Sequence, residues 1–274
     1  MNRKQKIGSE TARGGFKNES DMVKKFNNYS HDSIVQEWLL LMGYKYQLIE
    51  SFKALPIPPR IPREKALELG STKEKIDDTI KYKKADIQIQ LEIQLEGIIY
   101  RENLSLKKAN ATANFNQIDK RSVETYQKMW GFSDNVLRTL KKFTGATIPN
   151  ETEKHSLKDE RRWYLTELPK KEVQRVIEFF ELNKVLVISD ILRGRGALSA
   201  DWFLVTRKDV QSRKIDWALK PINEVINFYS QGKVCVSKRG GLKLCMLTAQ
   251  RKGGTPDPTS LQFKISPLAL FDIK

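Results

Sequence analysis

Two residues stand out for the chemistry they could do together: Asp86 and Lys107. A carboxylate can hold Mg²⁺ beside a phosphodiester, and the ion then activates water and offsets charge on the phosphorane and the leaving oxygen. A lysine next to it can position or deprotonate that water, or stabilise the anionic transition state. The pair would therefore serve metal-assisted phosphodiester hydrolysis, provided that the fold brings both groups to one surface.

The surrounding pattern offers such a surface. Ile87, Ile89, Leu91 and Ile93 alternate with Asp86, Gln88, Gln90 and Glu92, and this period of two predicts a strand. Gly97 sits near a turn, and a second strand is predicted over 98–108. On it, Asn103, Ser105 and Lys107 share one face while Leu104 and Leu106 take the other. If the two strands are neighbours, Asp86, Ser105 and Lys107 meet above one sheet surface. Spacing alone favours a plainer reading, two amphipathic strands with solvated polar faces.

Elsewhere, Met22, Val23 and Phe26, then Ile34, Val35, Trp38, Leu39 and Met42, predict two helices parted near 28–32 and closed by Gly43. Pro56, Pro58, Pro59 and Pro62 impose an extended or loop connection. A short charged helix is predicted over 63–78, and one continuous helical stretch over 116–142. Then come a helix over 170–182, a strand over 184–189, a short strand over 202–206 and a helix over 222–229. A hairpin follows over 233–237 and 242–248. Helices on both sides of a run of strands predict a mixed α/β (α+β) core with a strand-rich C-terminal part. Trp38, Trp130 and Trp202 lie in apolar segments and are expected in the core.

The 274 residues contain no linker-like stretch and suit one elaborated domain. Its expected parts are a helical region over 1–80, the strand pair bearing Asp86 and Lys107 with the helix after it over 81–145, and a strand-rich region over 146–274. Lys and Arg total 49 against 33 Asp and Glu, a net charge of +16. Charge of this size points to a polyanion, nucleic acid before an anionic membrane. No transmembrane run and no leader is read, so a cytoplasmic location is expected. Cys235 and Cys245 are expected as reduced core thiols, a hairpin disulfide being the lesser alternative. With only His31 and His155 beside them, zinc-ligand spacing is absent. No phosphate-binding Gly-rich loop followed by Lys-Ser or Lys-Thr occurs, which disfavours an NTP-driven helicase.

Longer segments carry a resemblance. They include Gly8-Ser9 with Phe16-Lys17-Asn18-Glu19, Phe115-Asn116-Gln117-Ile118-Asp119-Lys120, Tyr126-Gln127 with Met129-Trp130, and Phe143-Thr144-Gly145. Further along come Asp190-Ile191-Leu192-Arg193-Gly194-Arg195-Gly196, Ile222-Asn223-Glu224-Val225, Gln250-Arg251-Lys252-Gly253-Gly254, Leu261-Gln262-Phe263-Lys264-Ile265 and Leu270-Phe271-Asp272-Ile273. In these the chain resembles the small type II restriction endonucleases of the PD-(D/E)XK superfamily that cut GCGC after the first G. The stretch 46–84 matches poorly and is read as an insertion or a rebuilt loop.

The resemblance implies a PD-(D/E)XK core, a central mixed sheet flanked by helices. It implies Mg²⁺ as cofactor, with Asp86 as the metal-binding carboxylate, Lys107 as the catalytic lysine and the Leu106 carbonyl as a further ligand. Ser105 stands where these enzymes carry glutamine, and most of the superfamily Glu or Asp. A hydroxyl there is short and neutral, so it reaches a metal only through water or not at all. Glu19 is a candidate second carboxylate, with a surface or capping role as the plainer alternative.

The resemblance also implies that Gln117 pushes into the base stack and that its neighbours reach bases. Asn116 and Gln117 suit base edges, and Lys120 and Arg121 suit phosphate or guanine, with Asp119 between them. Arg193 and Arg195 suit phosphate or guanine on a flexible turn, against a plain solvated loop. Gln250, Arg251 and Lys252 suit a major-groove reader.

The expected activity is site-specific hydrolysis of double-stranded DNA at a short CG-containing sequence, GCGC or a relative such as CCGC. Cutting both strands requires either a homodimer or one subunit acting on each strand in turn. A cognate DNA methyltransferase is expected in the same system, though not as a physical partner. The rivals are a DNA-repair or nicking endonuclease with the same core, and a non-catalytic DNA-binding protein.

Overall fold

A computed structural model describes residues 15, 17–94, 97–109, 115–208, 215–252 and 259–273. Helix α1 covers 17–27. It is followed by α2 (Ser33–Leu41), β1 (Ile49–Pro56), α3 (Arg63–Glu68), α4 (Ile76–Tyr82), β2 (Ile87–Ile93) and β3 (Ile99–Ala109). Then come β4 (Asn116–Arg121), α5 (Val123–Trp130), α6 (Asp134–Thr144), α7 (Glu151–Lys154), α8 (Lys170–Leu182) and α9 (Lys184–Leu192). The chain continues with β5 (Trp202–Lys208), β6 (Ile215–Pro221), α10 (Ile222–Tyr229), β7 (Val234–Val236), β8 (Leu242–Leu244), β9 (Leu247–Arg251) and β10 (Leu261–Ile265). The described residues form two compact units, one over 15–109, 192–225 and 267–273, the other over 115–191 and 226–266.

The first unit is built on a mixed five-stranded sheet in the order β1-β2-β3-β5-β6. Its β3–β5 pair is parallel and the others are antiparallel. One face carries Ile87, Ile89, Leu91, Leu104, Leu106 and Leu204, and packs on Met22 and Phe26 of α1 and Val35, Trp38 and Leu39 of α2. Each large side chain buried there stabilises the unit by about 1.5–3 kcal/mol. Asp32 caps α2 by accepting from the Ile34 and Val35 N–H groups, and it pairs with Lys25 of α1. These contacts fix the angle between the two helices and, with it, the start of α1.

The opposite face is polar, as the alternation predicts, yet it is not solvated. Gln88 is fully buried, donating to the Leu69 carbonyl (2.9 Å) and to Asn103 Oδ1 (3.0 Å) while accepting from Gln90 (2.8 Å). Asn103 in turn donates to the Ala197 carbonyl (3.0 Å). Ala66, Leu69, Ile76, Ala85 and Leu198 pack together over this face. A sheet covered on both faces keeps polar side chains inside only when they satisfy one another, and this network does so.

The stretch 46–84 is therefore no rebuilt loop. It supplies the edge strand β1, paired to β2 from Ile49↔Ile93 to Pro56↔Ile87, and the two helices of the covering layer. The single charged helix expected over 63–78 breaks at Gly70, whose φ of +99° no continuing helix allows.

In the second unit an antiparallel sheet runs β4-β10-β9-β8-β7. Its apolar face meets α5 and α8 through Phe263. Tyr126 and Trp130 stack at 4.5 Å and both meet Phe263 edge-on. Trp130 Nε1 donates to Asp190 (3.0 Å).

Two predicted elements change type here. The helical stretch over 116–142 begins as strand β4, and the helix starts only at Val123, where Ser122 accepts from the Thr125 N–H (3.2 Å). The strand over 184–189 is helix α9. Its β-branched run hides the spacing of Val187, Ile188, Ile191 and Leu192, all fully buried along one helical face. Trp38 and Trp130 lie in the core, whereas Trp202 is half-buried and donates to Glu102 (2.8 Å). Both cysteines are free, and only Cys245 is buried; Cys235 is exposed. Among the described residues no helix is long and apolar enough to cross a membrane.

Candidate active site

The backbone fixes Asp86 before its side chain acts. Its N–H donates to the Leu104 carbonyl (2.8 Å), and its carbonyl accepts from the Ile57 N–H (2.9 Å). The residue is thus tied to β3 on one side and to the chain after β1 on the other. From this anchor Oδ2 accepts from the Leu106 N–H (2.6 Å), Ser105 Oγ (3.4 Å) and Lys107 Nζ (3.4 Å). The antiparallel register, Ile87 opposite Leu104, produces this convergence. It leaves Asp86 one step before the paired ladder, level with the residues that follow Leu104.

The side chains of Asp86 and Lys107 are 25% and 20% exposed, so solvent and a ligand can reach them. Ser105 is 1% exposed, a hydroxyl buried against the carboxylate. A strand residue sends its N–H and C=O to the same edge, so the Leu106 carbonyl leaves toward the side where its N–H meets Asp86.

A second carboxylate lies close by. Burial pushes Glu19 up to about 7, the nearby Asp86 charge adds to the shift, and Lys107 and Lys83 oppose it. Two carboxylates that disfavour each other's charge in a partly desolvated place suit a cation between them. Among the described residues no group of three or more His, Cys, Asp or Glu gathers. Backbone, hydroxyl or amide oxygens, water or phosphate could complete the oxygen ligands. Lys83 faces the same two carboxylates; burial lowers its pKa, while Asp86 and Glu19 act the other way. The sequence reading passed over Lys83, although it stands three residues before Asp86.

The model of the R.HinP1I restriction endonuclease family matches residues 72–271. The chain belongs to this family. It is a restriction endonuclease of the type II class. The match includes β2, β3 and every strand of the second unit, and Glu19 lies outside it. Among solved structures, that of restriction endonuclease MspI in complex with its cognate DNA aligns with a TM-score of 0.54 at 14% identity, covering 85% of this chain and 77% of that one. At that identity the likeness concerns the fold. No curated protein matches the sequence significantly.

The residues of this restriction endonuclease expected at DNA divide by position. Cross-strand partners in an antiparallel sheet share a face. Lys120, Gln262 and Gln250 are such partners, and so are Gln117, Lys264 and Thr248. Gln117, Lys120 and Gln250 therefore stand on the face away from Phe263. Lys252 follows β9, and the charges of Lys120 and Lys264 bear on it.

Asn116, Asp119, Arg121 and Arg251 belong to the opposite alternation. Asp119 accepts from Tyr126 Oη (3.1 Å) and Arg121 Nε (3.2 Å). Arg251 is largely buried, 3.6 Å from Asp159. In the first unit, the loop with Arg193 and Arg195 is a packed turn. A Cβ on Gly194 would lie 2.2 Å from the Tyr82 carbonyl, and one on Gly196 would lie 2.5 Å from Thr79 Oγ1. Arg195 covers the Tyr82 ring at 5.1 Å, and Arg193 bears on Asp201.

Proposed function

We propose that this restriction endonuclease hydrolyses double-stranded DNA at a short CG-containing sequence, GCGC or a relative such as CCGC. It uses Mg²⁺ and leaves 5′-phosphate and 3′-hydroxyl ends. The observation that carries the reading is the meeting of Ser105, Leu106 and Lys107 on one oxygen of Asp86, in a chain of this family. The charge of +16 supports a duplex as the ligand, because basic side chains displace its condensed counterions.

Asp86 and Glu19 are the carboxylates that would hold Mg²⁺, with the Leu106 carbonyl beside them. When bound, the ion supplies Lewis acidity against the charge that develops on the phosphoryl oxygens. Lys107 orients the attacking water and offers a positive charge to the pentavalent phosphorus centre. The water oxygen bonds to phosphorus, the bond to the 3′ oxygen breaks, and that oxygen takes up a proton. Ser105 and the Leu106 N–H hold the Asp86 carboxylate in place. Gln117, Lys120, Gln250 and Lys252 face the bases and phosphates, with Arg193 and Arg195 of the first unit as further phosphate contacts.

Digestion of a sequenced plasmid with and without Mg²⁺, followed by mapping of the ends, tests the reading. Discrete fragments from one CG-containing sequence, made only with the metal, are expected. Cutting at lesions or mismatches, random degradation, or binding without cleavage would each refute it.

A further inference from the structure

The polar face of the second unit's sheet extends beyond the residues that the sequence singled out. Strand β10, which lies between β4 and β9, presents Gln262 and Lys264 there, between Gln250 and Thr248 of β9 and Lys120 and Gln117 of β4. Gln262 is 3% exposed, yet among the described residues its side-chain amide makes no hydrogen bond. Its amide atoms are not sealed off, since the fully buried unpaired side-chain groups among the described residues are Trp38 Nε1 and Ser230 Oγ, so the amide can meet water or a ligand. Neither a hydrogen bond nor an ion pair is formed by Lys264 among the described residues, and burial lowers its pKa. Beside it a recess of about 330 Å³ is lined by Thr248, Gln250 and Lys264 on the sheet side and by Phe115, Tyr164 and Arg239 around it.

We propose that Gln262 and Lys264 are specificity-determining residues that read base edges, Lys264 donating to guanine and Gln262 pairing with the adjoining base. The inference rests on the DNA-cutting reading and deepens it. Sheets can enter a DNA groove, and neighbouring side chains on one face then meet successive bases. An ammonium donor fits the O6 and N7 acceptors of guanine. A carboxamide both donates and accepts, so it suits an edge that carries both kinds of group. Partial desolvation sharpens both contacts, because a wrong base leaves a buried polar group unpaired. Gln117 and Gln250, expected from sequence at the bases, flank the pair in the same two cross-strand rows.

The test compares wild type with Gln262→Leu, Lys264→Met and the conservative Lys264→Arg. Duplexes are selected by binding from a pool randomised over the recognition tetranucleotide, with Ca²⁺ in place of Mg²⁺. Melting temperatures establish that each variant is folded. Wild type is expected to enrich one sequence. Lys264→Met should relax the preference for guanine at one position by about tenfold or more, Gln262→Leu should relax a neighbouring position, and Lys264→Arg should restore the guanine preference. Replacing the contacted guanine with 7-deazaguanine should weaken wild-type binding and leave Lys264→Met indifferent. Unchanged preference in both variants, or an equal loss of affinity for every sequence, would overturn the proposal. Because the readout is binding, a protein that selects one sequence and fails to cut would refute the nuclease reading without affecting this test.

Discussion

Asn103 and Gln88 hold together the strands that bear Ser105, Lys107 and Asp86, and removing Asn103 should be severe. Asn103→Ala deletes the bond to Gln88 (3.0 Å) and the bond to the Ala197 carbonyl (3.0 Å). Gln88 is fully buried and Asn103 is 5% exposed, so water cannot replace the lost partners cheaply. Each buried group left unpaired costs about 1–3 kcal/mol. Two groups therefore cost about 2–5 kcal/mol, once room is left for partial relaxation. Replacing both partners by apolar residues, in Gln88→Leu with Asn103→Leu, removes the unpaired groups facing each other. The double variant should lose less than the sum of the singles by about 1 kcal/mol or more. Urea unfolding of wild type, Gln88→Leu, Asn103→Leu and the double variant measures the cycle, and Asn103→Ala is unfolded beside them, all read by tryptophan fluorescence and by far-ultraviolet circular dichroism. Additive losses, or a loss below about 0.5 kcal/mol for Asn103→Ala, would show that the network does not bind the strands as described.

Three further outcomes follow from the same structure. Glu19→Gln removes the second carboxylate and should raise the Mg²⁺ concentration for half-maximal cutting about tenfold or more; an unchanged requirement would remove Glu19 from the metal site. Burial raises the pKa of Glu102, against the hydrogen bonds from Tyr44 and Trp202. A raised carboxyl gives stability that is full below the ordinary carboxylate range and lost as pH rises through the folded value. Glu102→Gln should therefore gain on wild type in urea midpoint with rising pH, and a constant gap would contradict the assignment. Gly194→Ala puts a Cβ 2.2 Å from the Tyr82 carbonyl at a φ of +76° and should destabilise by about 2–4 kcal/mol, visible as a lowered melting temperature. A neutral result would mean that the loop has another way to pack.

Strands β2 and β3 were legible because both of the signals they rest on are local. Alternation over 86–93 predicts β2, and the placing of Ser105 and Lys107 on one face needs only the pleat. What alternation does not reveal is coverage. Gln88 reads as solvated, yet it is buried under a layer that Ala66 and Leu69 supply from a stretch that reads as a short charged helix within an insertion or a rebuilt loop. The β4 residues read as helix because charged, polar sequence has no distinct strand period, and Ser122, the cap that separates strand from helix, stands inside that polar run. In α9, Val185, Val187 and Ile188 carry strand propensity that packing overrides. The open face of the second sheet was half legible. Gln117 and Gln250 were picked by residue type, but Lys264 and Gln262 join them only through cross-strand register, which a single sequence does not contain.

The central claim is that Asp86 and Lys107 act on one phosphodiester. Single-turnover cleavage of a duplex bearing the mapped site, at enzyme concentrations that saturate binding, tests it most directly for wild type, Asp86→Asn and Lys107→Ala. The account predicts that both variants still bind the duplex with the same sequence preference while their cleavage rate falls by at least about a hundredfold. Cleavage by Lys107→Ala at the wild-type rate would contradict it.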